Sequence, residues 1–235
     1  MNVTTLVEPK PVEPKPFAWS FSRLKAFSDC PRRFYETQIC KDKWPEKRSP
    51  QLDWGDAVHA AMATALKTGT PLPTIFRIFQ KWVDSVNRTP GELLIEDDCR
   101  WAIDRKFRPV PWFANTVWLR TVADAVKLDG ETALVVDWKA GKSINADPVQ
   151  LVLTSLMLMV QFPEVHGVRS DFVWLQEDHK TTQTIYRDEA AEHWADILPR
   201  VKVLEHAVAN DNFPPKPNRF CRNYCPVKSC EYWGK

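Results

Sequence analysis

Residues 134–143 read LVVDWKAGKS. Three apolar residues are followed by an acid, a tryptophan and a lysine, and then by AGKS. The run from Ala133 to Val136 predicts a β-strand, and AGKS is typical of the turn that leaves it. Because alternate residues of a strand share a face, Asp137 and Lys139 should project on the same side. An ammonium group there can hold a water molecule or stabilise an anionic transition state. The alternative is an ordinary solvent-exposed Asp–Lys pair at a strand end.

The letters GKS at residues 141–143 also end the phosphate-binding loop G-x-x-x-x-G-K-[ST]. That loop needs its first glycine for the turn that directs successive backbone N–H groups at the phosphates. Val136 occupies the position of that glycine. The sequence therefore argues against a kinase or nucleotide hydrolase built on this loop.

The composition is that of an ordinary globular domain, with 44% hydrophobic and 26% charged residues in a chain of 235. No apolar run approaches the roughly 20 residues that span a bilayer, and MNVTTLVEPKPVEPKPF at the start lacks the apolar core of a signal peptide. We therefore expect a cytoplasmic protein whose cysteines are reduced thiols or metal ligands rather than disulfides. Residues 1–16 should form an extended arm rich in Pro, Lys and Glu. Residues 17–235 should form one domain that includes a cysteine-rich tail, residues 213–235.

Helical patterns alternate along the chain with short β-branched and aromatic segments. Four segments before residue 139 should form a meander of strands, with LDGE at 128–131 as a hairpin turn. The predicted helices begin at Ser20 or Ser22 and at Pro31, and cover 54–67, 74–86, 148–162 and 188–210; residues 41–50 should be a charged loop; the predicted strands lie within 92–96, 99–106, 116–127, 132–138, 168–177 and 181–187.

Two acids should meet beside this hairpin. Asp124 ends the apolar stretch VWLRTVAD, and the turn should bring the strand of Asp137 next to it. Two carboxylates at one spot repel each other unless a cation lies between them. The pair therefore predicts a hard divalent cation such as Mg²⁺ or Mn²⁺. His59 lies among alanines on a predicted helix, where a single histidine is more often a core residue than a ligand.

Taken together, these segments resemble the PD-(D/E)XK nucleases of the RecB-like group, which includes the CRISPR-associated adaptation nucleases. The resemblance covers nearly the whole chain and is carried, in family order, by FAWSFSRLKAFSDCPRRFYE at 17–36, GDAVH at 55–59, VAD at 122–124, VVDWK at 135–139 and the helix of Gln150. It implies an α/β fold with a mixed central sheet flanked by helices.

The resemblance also implies the roles of individual residues. His59, Asp124 and Asp137 match the ligands of Mg²⁺ or Mn²⁺, and the carbonyl group of Trp138 matches a fourth. Lys139 and Gln150 match the family's catalytic lysine and glutamine. The tyrosine expected four residues after the glutamine is Thr154 here, which departs from the family's DNA-contacting helix. Glu96 is near the position of a further acid in some relatives.

The tail FCRNYCPVKSCEYWGK places Cys221, Cys225 and Cys230 within ten residues, and Cys30 stands near the other end. Their spacing permits either zinc or an iron–sulfur cluster. The resemblance favours a [4Fe–4S] cluster, because iron–sulfur members of the group use one N-terminal and three C-terminal cysteines. Such a cluster would join the termini and bring the basic segments 23–48 and 216–228 onto one surface. Cys40 and Cys99 should be small buried or half-buried residues with free thiols.

These observations predict a metal-dependent DNA exonuclease that prefers single-stranded or frayed ends. The alternative is a non-catalytic nucleic-acid-binding module with a structural zinc or iron–sulfur site.

Overall fold

A computed structural model describes residues 17–40, 48–142, 144 and 146–235. The predicted arm of residues 1–16 lies outside the described residues, as does most of the predicted charged loop, residues 41–47. Six α-helices are present in the described ranges: α1 Phe21–Asp29, α2 Pro31–Phe34, α3 Pro50–Thr68, α4 Gln80–Arg88, α5 Val149–Gln161 and α6 Ala190–Ala209. The strands there are β1 Glu92–Ile95, β2 Arg100–Ile103, β3 Leu119–Val122, β4 Ala125–Asp129, β5 Thr132–Lys139, β6 Gly167–Trp174 and β7 His179–Tyr186.

The main sheet has five strands in the order β1-β4-β5-β6-β7. The β5–β6 pair is parallel and its two strands are joined through α5, whereas the other three pairs are antiparallel. The predicted α/β class, with a mixed central sheet flanked by helices, is confirmed. A crossover helix is the expected connection between parallel neighbours, since a tight turn cannot join them.

The central strand β5 divides the core between two helical layers. Ala133 and Val135 pack into one cluster with α1, α5 and α6. Leu134, Val136 and Trp138 pack into a second cluster with α3 and α4. This alternation follows from the two-residue period of a strand buried on both faces. The sheet therefore brings the end of β5 between α3 on one side and α5 on the other.

The predicted hairpin between β4 and β5 is confirmed. Asp129 pairs with Thr132, and Gly130 occupies the turn with a φ of 56°. The register runs back to Ala125 opposite Val136, so that the next positions along the two strands are Asp124 and Asp137. The turn thereby sets the two acids side by side.

The predicted meander is wrong in one respect. Residues 116–127 do not form one strand: β3 pairs with β2 in a separate two-stranded sheet, and β4 belongs to the main sheet. The chain changes sheet at Ala123, whose N–H donates to the carbonyl oxygen of Cys99. Asp124 therefore lies at a break between strands, where its side chain is only partly covered.

The predicted helix over 74–86 also differs in detail. Residues Thr74–Phe79 form a 3₁₀-helix, and the α-helical part begins at Gln80. Phe76 and Phe79 are both buried. Because side chains three residues apart share a face in a 3₁₀-helix, this geometry directs both rings into the core. Among the described residues, no helix has both the length and the apolar character that crossing a bilayer requires.

Candidate active site

Asp124 is held by two hydrogen bonds from different parts of the fold. Its Oδ2 atom accepts from the backbone N–H of Trp138 at 2.7 Å. Its Oδ1 atom lies 3.1 Å from Nδ1 of His59. The first bond ties the acid to the end of β5, and the second ties it to α3. Three of the residues that the sequence resemblance grouped as metal ligands are therefore neighbours in the fold.

His59 is positioned by α3, which begins after the capping side chain of Ser49 and ends at Gly69 in the left-handed conformation. Burial lowers the pKa of His59, but the hydrogen bond and negative charge of Asp124 outweigh it, so that the net shift is upward. In the neutral tautomer, an Nδ1–H that donates to Asp124 leaves the lone pair on Nε2. That nitrogen is then available to bind a cation.

Asp137, Lys139 and Gln150 form a closed triangle of polar contacts. Nζ of Lys139 lies 2.6 Å from Oδ1 of Asp137 and 3.0 Å from Oε1 of Gln150. Nε2 of Gln150 donates to Oδ2 of Asp137 at 2.6 Å. The predicted sharing of one strand face by Asp137 and Lys139 is thus accompanied by a direct ion pair. The first turn of α5 supplies the third member, as the position of Gln150 indicated.

The lysine also lies 4.5 Å from the centre of the Phe172 ring. This residue is the partner of Asp137 in the parallel β5–β6 ladder. The ring adds a cation–π interaction that restricts the ammonium group. Sequence reasoning did not identify Phe172, because its position depends on the β5–β6 register, and no local pattern in the sequence specifies that register.

The carboxyl group of Asp137 has an unusual pKa of about 6, raised chiefly by burial and then by the negative charge of Asp124. The charges of Lys139 and His59 act in the opposite direction and are outweighed. The side chain is only 14% exposed. A pKa displaced by burial and a like charge is a common property of active-site acids.

The donor set suits a hard divalent cation, since it consists of carboxylate oxygens and an imidazole nitrogen. In the described part of the chain, no three His, Cys, Asp or Glu side chains converge into a complete metal site. Both oxygens of Asp137 instead bond to Lys139 and Gln150. Each oxygen keeps a second lone pair that is available to a cation.

The backbone of Trp138 faces the same acids. Its N–H points at Asp124, and the N–H and C=O groups of one strand residue are directed to the same neighbouring strand. The carbonyl oxygen named by the resemblance as a fourth ligand is therefore on the Asp124 side of β5. The indole ring points away and packs in the core of α3 and α4.

Glu96 is not part of this group. It forms an ion pair with Lys67 and has a φ of 55°, a conformation uncommon for any residue other than glycine. It lines a cavity of about 1430 Å³ that also includes His59. Much of the cavity wall is apolar, from Leu52, Trp54, Ile78, Phe79 and Leu175. We call this space the apolar groove.

The C-terminal tail returns to the end of α1. Nζ of Lys216 donates to the carbonyl oxygen of Ser28 at 2.7 Å, and Nδ2 of Asn218 donates to that of Asp29 at 3.1 Å. The backbone N–H of Lys216 lies 3.4 Å from Sγ of Cys30. These contacts bring the tail against Cys30, which is buried.

The tail cysteines lie within one folded loop. The N–H of Gly234 donates to the carbonyl oxygen of Cys221, which closes the loop that contains Cys225 and Cys230. The pKa of the Cys225 thiol is raised by burial first, and the nearby Cys221 and Cys30 raise it further. None of the six cysteines forms a disulfide bond.

Comparison with known proteins gives one decisive result. The family model of the PD-(D/E)XK nuclease superfamily matches residues 18–230. A comparison with curated protein sequences gives no significant match. A crystal structure of a candidate exonuclease from Eubacterium rectale is similar at 13% identity, with 88% of this chain and 86% of that chain covered and a TM-score of 0.47. The crystal structure of SSO0001 is similar at 16% identity, with 94% and 86% covered and a TM-score of 0.43.

The family match spans the segments that build the site, from the strand pair of the two acids to α5 and the cysteine-rich tail. Together with the mixed sheet and the grouping of Asp124, Asp137 and Lys139, it identifies the family. The chain belongs to the PD-(D/E)XK nuclease superfamily.

Proposed function

We propose that this protein is a Mg²⁺- or Mn²⁺-dependent deoxyribonuclease of the RecB-like group that degrades DNA from single-stranded or frayed ends. The observation that carries the proposal is the grouping of Asp124, Asp137 and Lys139 at the ends of two paired strands, with His59 and Gln150 beside them. The acids and the histidine are the proposed metal ligands, with the carbonyl oxygen of Trp138.

A cation bound there supplies a positive charge for a phosphate oxygen and a water molecule of lowered pKa. The protein supplies the positioning. Asp124 is fixed between the Trp138 N–H and His59, so its direction does not depend on the cation. Preorganised groups of this kind avoid a reorganisation cost during the reaction.

Lys139 has the role of holding the attacking water and offsetting negative charge that develops on the phosphate. Its side chain is 22% exposed, so part of it is open to solvent or substrate. Gln150 and Phe172 restrict it from two sides. Gln150 is a positioning residue in this proposal, because it contacts both the acid and the lysine.

The preference for single strands is supported by the apolar groove. Leu52 and Ile78 offer exposed apolar surface in the cavity that His59 also lines, and Trp54 adds an aromatic ring. Unpaired bases can stack on such a surface, whereas the bases of a duplex are already stacked and paired. Two lysines line this groove, Lys81 of α4 and Lys142, and Lys81 is ion-paired with Asp178. The groove is therefore better suited to bases than to a dense phosphate backbone.

We propose that Cys30, Cys221, Cys225 and Cys230 hold a [4Fe–4S] cluster, with zinc as the alternative metal. The proposal is supported by the hydrogen bonds between residues 216–218 and residues 28–30, and by the proximity of Cys30, Cys221 and Cys225. Thiolate sulfur binds both iron and zinc. The role of the cluster is to tie the tail to the start of the domain.

The test is degradation of end-labelled single- and double-stranded DNA with Mg²⁺, Mn²⁺ or EDTA, beside the Asp137→Ala variant. We expect metal-dependent loss of label from single strands in the wild type alone. The position of the lost label gives the direction of digestion. Binding without cleavage under all conditions would instead establish a non-catalytic nucleic-acid-binding module. Circular dichroism of Asp137→Ala checks that the variant is folded.

A further inference from the structure

A second, smaller cavity adjoins the site at Gln150. Its volume is about 410 Å³, and it lies between the start of α1, strand β3 and the first turns of α5. Gln150, which donates to Asp137, is part of its wall. His59 lines the apolar groove and not this cavity. We call the second space the arginine cavity.

The charged residues in the wall of the arginine cavity are all positive. Its lining includes two cationic residues, Arg23 and Arg120, and no acid. Within the described ranges, neither arginine forms an ion pair with a carboxylate. Arg23 donates to the carbonyl oxygen of Ala18, and Arg120 donates to that of Trp112. Both bonds leave the positive charge without a counterion.

The two guanidinium groups are close enough to repel each other. Burial lowers the pKa of Arg23, and the charge of Arg120 lowers it further. Aromatic rings hold both side chains, Phe17 at 5.2 Å from Arg23 and Trp112 at 5.4 Å from Arg120. Two like charges are thus fixed around one small space, which an anion would stabilise.

Two buried donors in the same wall also lack a partner. The indole Nε1 of Trp19 and the hydroxyl of Thr121 make no hydrogen bond, although the residues are only 0% and 8% exposed. Buried polar groups are nearly always paired, so each unpaired donor calls for an explanation. These two atoms are themselves buried, so they mark an incomplete polar network beside the cavity and are not donors that open into it.

Helix α1 adds a third positive contribution. It begins after Ser20, and Ser20, Phe21 and Ser22 all line the arginine cavity. The first backbone N–H groups of a helix have no intrahelical acceptor and carry the positive end of the helix dipole. This terminus alone would not define a site. Together with the two arginines, which have no carboxylate partner among the described residues, it forms a wall that favours an anion.

We propose that the arginine cavity binds a phosphate group of the nucleic-acid strand next to the phosphodiester that is cut. The proposal rests on the nuclease function proposed above. Guanidinium groups match phosphate in a bidentate geometry and keep their charge at any working pH. Gln150 separates this phosphate from Asp137 and Lys139, so the strand would run from the arginine cavity past the acids toward the apolar groove.

Thr154 fits the same proposal. Its hydroxyl group donates to the carbonyl oxygen of Gln150, one turn earlier in α5, and its side chain lines the arginine cavity. The tyrosine of the related nucleases at this position would be much larger. The small residue leaves the space that the phosphate occupies, so that arginines from α1 and β3 take over contacts to the strand.

The test measures binding of a fluorescent single-stranded oligonucleotide in EDTA, so that the strand is not cut. Arg120→Gln should weaken binding about tenfold and lower the steepness of the salt dependence by about 0.7 in the log–log slope. Arg88→Gln is the matched control, because Arg88 is an exposed arginine at the end of α4 and remote from this wall. It should bind as the wild type does.

Two substitutions of opposite charge at one rim position test the proposal without disturbing the packing of Arg120. Val122 lines the cavity and is 49% exposed, so either charge should be tolerated there. Val122→Lys should tighten binding and Val122→Glu should weaken it. Unchanged affinity and salt slope in Arg120→Gln and in both Val122 variants would overturn the proposal.

Three oligonucleotides separate the possible sources of the phosphate: one with a 5′-phosphate, one with a 3′-phosphate and one with neither. If Arg120→Gln weakens all three equally, the bound group is an internal phosphodiester. If the loss is confined to one phosphorylated end, the cavity binds that terminal phosphate. Because these measurements need no cleavage, they can succeed when the wild type fails to cut DNA with Mg²⁺ or Mn²⁺. If the wild type cuts DNA but the Arg120 and Val122 variants bind the oligonucleotides as the wild type does, the phosphate site is rejected and the nuclease function stands.

Discussion

Gln150 donates a hydrogen bond to Asp137 and accepts one from Lys139, at 2.6 and 3.0 Å. One amide thus sets the distance between an acid on a central strand and the lysine two residues along that strand. The amide is suited to this position because it offers a donor and an acceptor at the same time. A carboxylate there could satisfy only the lysine.

Replacing this amide should affect catalysis more than folding. We expect Gln150→Ala to lower kcat about 10- to 100-fold, as is typical when a group that orients metal-site residues is removed. Gln150→Glu should shift the rising limb of the pH–rate profile upward, because a second negative charge raises the pKa of Asp137. Steady-state kinetics on single-stranded DNA would measure both. An unchanged pH profile in Gln150→Glu would contradict the positioning role.

The metal-free protein should become less stable as pH rises from about 4 to about 6. The folded pKa of Asp137, about 6, lies above the usual value of roughly 3.9, so the fold binds a proton that the unfolded chain has lost. Well above pH 6, Asp137 is ionised in both the folded and the unfolded state, so its contribution to stability no longer changes with pH. The Asp137→Asn substitution removes this titration. At pH 7 the free energy of unfolding of the variant should exceed that of the wild type by at most about 3 kcal/mol. Denaturant unfolding in EDTA at several pH values would test this.

Other groups titrate in both the wild type and Asp137→Asn. The test is therefore the difference between the pH dependences of their unfolding free energies. Equal pH dependence in wild type and Asp137→Asn would show that Asp137 titrates normally in the fold. The same proton should compete with the cation, so Mn²⁺ affinity of the wild type should rise up to about pH 6.

Base stacking in the apolar groove can be tested with two isoleucines from one short helix. Ile78 lines the groove and is 77% exposed, whereas Ile75 is 73% exposed and is not part of the groove wall. We expect Ile78→Ala to weaken binding of single-stranded DNA severalfold and to leave duplex binding unchanged. Ile75→Ala is the control and should behave as the wild type. Equal losses for both variants, or for both DNA forms, would argue against stacking in the groove.

Loss of any proposed cluster cysteine should remove the metal and destabilise the fold. We expect Cys221→Ala and Cys30→Ala to lose iron and acid-labile sulfide in anaerobic preparations, and to melt at lower temperature, because a long loop is no longer closed. Cys99→Ala is the control, since that thiol is fully buried and its pKa is raised to about 12, chiefly by burial. It should retain iron. Stoichiometric zinc in the wild type would replace the iron–sulfur assignment.

Local sequence determined the parts of the protein that depend on neighbouring residues. The strand of Asp137 and Lys139, the hairpin turn at 128–131 and the helix that begins near Gln150 were predictable, because periodicity and turn residues act over a few positions. The order of the motifs also indicated the family. The absence of a glycine at 136 was enough to argue against a phosphate-binding loop.

Tertiary structure decided what depends on distant segments. The change of sheet at Ala123, the approach of Phe172 to Lys139 and the arginine cavity all depend on strand register and helix packing. Arg23 and Arg120 are 97 positions apart, and each is an unremarkable basic residue in its own segment. They come together because Trp19, just before α1, pairs with Leu119 of β3. Local patterns fix each element, whereas the energy of packing and pairing between elements fixes which side chains meet.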